Sequence, residues 1–299
     1  MYPYRASSEK APKQPTVNKE PRSWLFVPAD SDKKIAKAIE SSADALIFDL
    51  EDSVVPARKA AARDILKGLP KRETGPDWWV RINPIGSDHH KDDLDLISRG
   101  DIGGLVLPKA EGGWDVIELA HRTGNIPIHA IVTETPASLF AMLSYRDPKS
   151  PLVAMSWGAE DLSAALGASS KYDESGDLSF TYKMARSLCL AGAVAAGVQP
   201  VDGVFADFRD EKGLRAEAEA ARREGFTGKL AIHPAQVPVI NAAFTPSRDE
   251  ISHAEAVVAA FEAYPDAGTV SVDGNMADRP HLEQARRVLQ RARGVANDV

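Results

Sequence analysis

With 299 residues, 43% of them hydrophobic and 26% charged, the chain can bury one large α/β barrel or two ordinary domains without a disulfide or zinc staple. Its net charge of −7 argues against nucleic acid as the main partner, since binding a phosphate backbone takes a concentrated basic surface. No run approaches 18 apolar residues, so no helical membrane span is expected.

Residues 1–21, MYPYRASSEKAPKQPTVNKEP, are rich in Pro, Lys and Ser and lack the apolar centre of a signal peptide. They are expected to form a disordered, uncleaved tail on a cytoplasmic protein. From Ser23 onward short apolar segments alternate with amphipathic or alanine-rich ones. Strands are expected at 24–27, 45–50, 78–82, 104–108, 129–133, 153–157, 203–206 and 230–232. They are apolar with little alternation, as parallel strands buried on both faces are. Helices are expected at 33–42, 56–69, 90–99, 113–121, 136–143, 182–196, 214–223 and 234–243. The single cysteine, Cys189, falls in the apolar run 185–198 and reads as a buried, inert thiol with no partner for a disulfide or a metal knuckle.

Eight alternations predict a TIM (β/α)8 barrel over residues 22–246. An open doubly wound sheet would carry a glycine fingerprint after its first strand, where this chain reads Val27-Pro28-Ala29-Asp30. Residues 247–299 exceed the eight units. They hold a helix at 249–264, a short segment at 268–275 and a helix at 280–293, a C-terminal helical extension able to cap a barrel mouth as a lid or to reach a neighbouring subunit.

In such barrels the chemistry gathers at the C-terminal ends of the strands, and those ends are polar here. They read Asp49-Leu50-Glu51-Asp52, Arg81-Ile82-Asn83, Pro108-Lys109, Glu134-Thr135, Glu160-Asp161, Ala206-Asp207 and His233-Pro234. Converging acids need cations, and Arg81 with Lys109 leaves an excess of negative charge, so a divalent metal is implied. Oxygen ligands without cysteine select magnesium, or manganese, over zinc. Other readings stand beside this one. Asp49, Glu51 and Asp52 could instead cap the next helix or pair with Arg58 and Lys59. Glu134 precedes Thr135-Pro136, where a helix cap would also attract an acid, and His233-Pro234 could be a turn. His89-His90 reads as a solvated helix start. Arg81, between Val80 and Ile82, must pair with acids or point into the site, where its fork suits a carboxylate or a developing enolate oxygen.

Leu25-Phe26-Val27-Pro28, Phe48-Asp49-Leu50-Glu51-Asp52-Ser53-Val54, Val80-Arg81-Ile82-Asn83 and Pro108-Lys109 occur in that order. Glu134-Thr135, Trp157-Gly158-Ala159-Glu160-Asp161-Leu162 and Ile232-His233-Pro234-Ala235-Gln236 follow them. Together they resemble the citrate lyase β-subunit and malyl-CoA lyase family, across residues 22–293. The resemblance implies a TIM barrel that makes or breaks the bond between a thioester α-carbon and an α-keto acid. It implies Glu134 and Asp161 as magnesium ligands, Arg81 as a substrate contact, and Phe26, Lys37, Ile232 and His233 as contacts to the CoA thioester. One departure is visible: some members carry an arginine where this chain has Ser31. Gly274-Asn275-Met276-Ala277-Asp278-Arg279-Pro280 resembles the family's C-terminal motif. Its aspartate, here Asp278, reaches the active site from a neighbouring subunit in related enzymes; residues alone would make Asp278 a helix cap.

The implied activity is magnesium-dependent cleavage of a 3-hydroxyacyl-CoA such as malyl-CoA or citramalyl-CoA to acetyl-CoA plus glyoxylate or pyruvate, by a homo-oligomer, a trimer or hexamer. Magnesium would chelate the substrate's hydroxyl and carboxylate, Arg81 would face the thioester enolate and Asp278 would carry its proton. Two enzymatic alternatives remain. A pyruvate aldolase on free hydroxy-keto acids would have a histidine after the second-strand acids, where the chain reads Ser53-Val54-Val55-Pro56. A citrate lyase β-subunit would act on a carrier-protein thioester.

Overall fold

Eight short apolar runs hydrogen-bond side by side in parallel and close on themselves, β1 pairing with both β2 and β8. They are β1 (Ser23–Pro28), β2 (Ala45–Asp49), β3 (Asp77–Arg81), β4 (Gly104–Leu107), β5 (Ile128–Ile131), β6 (Leu152–Ser156), β7 (Gln199–Asp202) and β8 (Gly228–Ala231). The structure, a computed structural model, describes residues 20–70 and 74–296. The expected tail lies outside the described residues as far as residue 19.

Each strand sends alternate side chains inward and outward. Trp24, Ala45, Ile47, Trp79, Val106, Ile131, Ala154, Val201 and Leu230 fill the barrel interior. Trp24 sits edge-on to Trp79 at 4.9 Å and to His129 at 4.7 Å. Burial drops the His129 pKa to about 3, so its ring is a neutral core group, 2.9 Å from Ser156 Oγ. The outward set packs beneath the helices in a second, larger core.

Between the strands run α1 (Asp32–Ile39), α2 (Lys59–Gly68), the single turn α3 (His90–Asp93), α4 (Gly113–Thr123), α5 (Ala159–Leu166), α6 (Phe180–Ala196), α7 (Glu211–Glu224) and α8 (Val237–Phe244). The helix expected at 136–143 is two 3₁₀ pieces, Ala137–Phe140 and Met142–Arg146. The segment expected as one helix at 90–99 is α3 followed by the 3₁₀ stretch Leu94–Arg99. Cys189 is fully buried in α6, and burial pushes its thiol pKa up, keeping it protonated.

The expectation for the seventh strand is corrected. The strand is Gln199–Asp202, and residues 203–206 are the loop beyond its end. Gln199 and Pro200 hid it: proline contributes no N–H to a ladder and argues against a central strand. Here Pro200 still pairs across with Met155. The acid that ends this strand is therefore Asp202 and not Asp207. Asp202 faces the helices, accepting from Lys229 Nζ at 2.8 Å, Arg186 Nε at 2.8 Å and Trp157 Nε1 at 2.8 Å. Burial alone would raise its pKa, but the Lys229 and Arg186 charges outweigh it and hold the carboxyl at about 2. This buried cluster ties the ends of β6, β7 and β8 to α6 and, through Glu217 on Lys229, to α7.

Beyond the barrel, α9 (Arg248–Ala263), a hairpin of β9 (Thr269–Val272) and β10 (Asn275–Asp278), and α10 (Arg279–Ala296) assemble a core of their own. Ala254, Val257, Phe261, Val272, Ala277, Leu282 and Ala285 are buried in it. Ser247 opens α9 with a reciprocal cap to Glu250. Among the described residues no helix is long and apolar enough to cross a membrane.

Candidate active site at the barrel mouth

Asp49 and Arg81 end neighbouring strands in register, and both side chains point to the mouth. Arg81 grips Asp49 through Nε at 2.7 Å and Nη2 at 2.6 Å, a two-pronged pairing that fixes the guanidinium plane. Its Nη1 lies 2.9 Å from Glu51 Oε2 without the alignment of a hydrogen bond, and so retains donor capacity. The guanidinium sits 4.6 Å from the centre of the Phe26 ring. Burial opposes charge on both partners, yet their mutual attraction wins: Asp49 is held below the usual carboxylate range and Arg81 is raised further.

Lys109, just past β4, adopts φ +52°, a left-handed backbone that a non-glycine residue occupies at a cost. That turn aims its main-chain N–H at Glu134 Oε2, 2.5 Å away. Its side chain returns across the mouth to Glu51 at 2.5 Å, Asp161 at 3.2 Å and Asp52 at 3.6 Å. Glu134 is buried. Desolvation raises its pKa to about 8, only partly countered by the Lys109 N–H and assisted by the charges of Asp161 and Glu51. Gly158 lets this side chain in, for a β-carbon there would lie 2.9 Å from Glu134 Cγ. Gly158 also caps α5, whose first turn carries Asp161 at the positive end of the helix.

The loop after β2 is braced from behind. Lys59 Nζ donates to the carbonyls of Leu50 and Glu51 and to Asn83 Oδ1, all at 2.7–2.8 Å. Asn83 in turn donates to Leu50 O and to Asp93, which pairs with Arg63. Lys59 thus holds main-chain carbonyls rather than the loop's carboxylates, and Arg58 pairs with Asp30. His90 is buried against Asn83 O at 2.9 Å, which corrects the expectation of a solvated helix start at 89–90.

Phe26, Arg81, Glu134 and Asp161 come together as one constellation, joined by Asp49, Glu51 and Lys109. Five carboxylates there, counting Asp52, face two cations in direct contact. Ile232 and His233 follow β8 and Lys37 lies in the last turn of α1; no described contact joins any of the three to that constellation. Ile232 is 43% exposed. His233 opens a 3₁₀ turn, its Nδ1 accepting from Ala235 N at 3.2 Å, so Nε2 carries the proton and faces outward as a donor. Its pKa is lowered by burial and by the charges of Lys37 and Arg209. Phe208 stacks on His233 at 4.4 Å, and the Arg209 guanidinium lies 4.7 Å from the Phe208 ring centre. The sequence does not single out either residue, because their stack on His233 is a contact between two loops that lie far apart in the chain. Ser31 caps α1 by accepting from Lys34 N.

Asp278 ends β10 on the C-terminal extension. Its carboxylate meets His281 Nδ1 at 2.5 Å and accepts from His281 N at 3.4 Å, closing the first turn of α10. The described contacts do not bring it to Glu134 or Arg81 within one chain. The His281 contact holds its pKa low, so it is ionised at neutral pH.

A sequence profile for the HpcH/HpaI aldolase/citrate lyase family matches residues 22–234. The chain is 38% identical over 270 residues to a citrate lyase subunit beta-like protein of Mycobacterium tuberculosis, covering 90% of this chain and 94% of that one. It is 35% identical over 279 residues to a (3S)-malyl-CoA thioesterase of Cereibacter sphaeroides, with 92% and 95% covered. The M. tuberculosis protein CitE, solved with magnesium, acetoacetate and coenzyme A, superposes with a TM-score of 0.77 at 36% identity, covering 91% of this chain and 97% of that one.

Proposed function

The chain belongs to the HpcH/HpaI aldolase/citrate lyase family, and from that premise we propose that it is a magnesium-dependent lyase of 3-hydroxyacyl-CoA thioesters. Its substrate would be malyl-CoA or citramalyl-CoA, giving acetyl-CoA plus glyoxylate or pyruvate. The observation that carries this reading is Glu134: a buried acid whose carboxyl is driven up to about 8 by desolvation and by neighbouring acids, beside Asp161 at a helix start.

The donor set suits magnesium. Glu134 and Asp161 offer oxygen only, and magnesium takes one or two carboxylates while keeping several waters. Among the described residues no three acidic or imidazole side chains form a ready-made cage, which leaves the remaining positions to water and a chelating substrate. The Lys109 ammonium already stands 3.2 Å from Asp161, where positive charge is wanted. Bound there, magnesium would acidify the substrate hydroxyl and stabilise the keto acid's oxygens.

The chain's own residues supply the rest. Asp49 holds Arg81 in one orientation, leaving Nη1 to face the thioester oxygen as negative charge develops on it. Phe26 packs under the guanidinium and keeps water from that side. Asp278, ionised by its contact with His281, is in the form that takes a proton from the acetyl-thioester methyl in the condensation direction and returns it in cleavage.

Asp278 would act in a homo-oligomer, from a second copy, in a trimer or hexamer. Two features support this. The extension has a core separate from the barrel, with Met276 and Tyr264 exposed. An apolar cavity of about 370 Å³ lined by Trp114, Phe140 and Leu143 lies where the loop after Glu134 meets α4, with Phe140 93% and Leu143 74% exposed. Patches of that kind mark interaction surfaces.

The test is a coupled assay for acetyl-CoA release from malyl-CoA, citramalyl-CoA and citryl-CoA, with and without magnesium. Metal-dependent release from one of the first two is expected. Turnover of free hydroxy-keto acids alone would favour the aldolase alternative and overturn this reading.

A further inference from the structure

Past the ends of β5 and β6 a side chain takes over from the main-chain ladder. Among the described contacts the last main-chain rung there runs from Val132 N to Ser156 O at 2.9 Å. Evenly spaced parallel rungs would continue from Gly158 N to the Val132 carbonyl. Gly158 N–H donates instead to the hydroxyl of the next residue, Thr133 Oγ1, at 3.1 Å.

Both ends of this bond adjoin a proposed metal ligand. Thr133 is fully buried and immediately precedes Glu134. Gly158 caps α5, whose first turn carries Asp161. Gly158 also lies so close to Glu134 that a β-carbon there would stand 2.9 Å from its Cγ. The residue before Gly158 is anchored separately. Trp157 Nε1 donates to Asp202 Oδ1 at 2.8 Å, and a β-carbon on Gly203 would meet the indole at 2.9 Å. The indole therefore pins this segment to β7, and the Gly158 N–H pins it to the residue beside Glu134. Removing the hydroxyl leaves a part-buried N–H without its acceptor, and the start of α5 must shift to satisfy it.

We propose that Thr133 is a positioning residue that sets the separation of Glu134 and Asp161, and through it the preference of the site for magnesium over a larger divalent cation. This rests on the magnesium reading above and adds to it the residue that tunes selectivity. Magnesium demands near-octahedral geometry with oxygens at about 2.0–2.1 Å, whereas calcium accepts about 2.3–2.6 Å in flexible arrangements. A carboxylate pair released from its tether loses magnesium first.

The experiment is titration calorimetry of the full chain with magnesium chloride and with calcium chloride, for the wild type, Thr133→Val and Thr133→Ser. Thermal melts of each metal-free protein accompany it. Valine keeps the shape and drops the acceptor; serine keeps the acceptor and drops the methyl. Thr133→Val should lose about tenfold of magnesium affinity, the equivalent of one hydrogen bond, with calcium affinity changed less than twofold. Thr133→Ser should bind magnesium within twofold of the wild type even where its melting temperature falls with the lost methyl. If Thr133→Val does not fold, Thr133→Ala takes its place with the same expectations. Magnesium affinity within twofold of wild type in the variant without a hydroxyl overturns the proposal. So does a calcium loss as large as the magnesium loss, or a tenfold magnesium loss in Thr133→Ser. A wild type that binds neither cation removes the magnesium reading itself.

Discussion

Gly158 and Gly167 bound the same short helix, α5, and they are glycine for different reasons. Gly158 has φ −126°, a backbone that any residue adopts, so Gly158→Ala introduces no strain of its own. Its new methyl, however, would lie 2.9 Å from Glu134 Cγ, 3.1 Å from Oε1 and 3.4 Å from Cδ. Glu134 has nowhere easy to go, being buried and fixed at Oε2 by the Lys109 N–H. Overpacking of this kind costs about 1–3 kcal/mol. If the carboxylate shifts to relieve it, magnesium affinity falls roughly tenfold or more, at about 1.4 kcal/mol per factor of ten. Gly167 has φ +68° and open space around it. Gly167→Ala should therefore cost about 1 kcal/mol of stability through its left-handed backbone and leave magnesium binding alone. Calorimetric titration with magnesium and thermal melts of both variants separate the two effects. Unchanged magnesium affinity in Gly158→Ala, or an equal loss in Gly167→Ala, would show that Gly158 does not make room for Glu134 as a metal ligand.

The raised Glu134 carboxyl predicts that magnesium must displace a proton. Affinity should climb about tenfold per pH unit from near 5 and level off above about 8. Over the same window the metal-free protein should lose stability as pH rises, because its folded form holds a proton that the unfolded chain has released. Both slopes should vanish in Glu134→Gln, and titrations in buffers of different ionisation heat should count one proton per metal. Asp202→Asn should destabilise the chain by about 3–5 kcal/mol in denaturant melts, since it strands Lys229 and Arg186 as buried cations. The folded-state pKa of Asp202 is depressed, so its contribution is present above the ordinary aspartate range and is lost as pH falls toward about 2. Co-expressing Glu134→Gln with Asp278→Asn, each inactive alone, should restore cleavage if Asp278 serves a neighbouring copy. A mixture that stays inactive counts against that arrangement.

Much of the barrel was legible in the sequence because parallel strands covered on both faces must be apolar, and apolar runs such as residues 45–48 and 104–107 are conspicuous. The seventh strand was not, since Gln199, Pro200 and Asp202 disguise it. Helix α5 was also missed: it is one helix of eight residues whose first turn is the acidic pair read only as chemistry. The site was legible where polar residues interrupt apolar strand ends, as at Asp49, Arg81 and Glu134. What local sequence could not reveal is pairing across the barrel. Nothing adjacent to Asp49 announces that it holds Arg81, and the Lys109 turn is visible only in its dihedral angle. The Arg209–Phe208–His233 stack joins two loops 24 residues apart. Buried ion pairs such as Asp202–Lys229 look in sequence like two surface charges.

Thioester cleavage, as proposed, depends on a magnesium ion held by Glu134 and Asp161. Its most direct measurement is acetyl-CoA release from malyl-CoA and citramalyl-CoA by the wild type and by Glu134→Ala across a magnesium titration. Metal-dependent release is expected from the wild type, and none from the variant at any magnesium concentration that leaves it folded. Full magnesium-dependent cleavage by Glu134→Ala would contradict it.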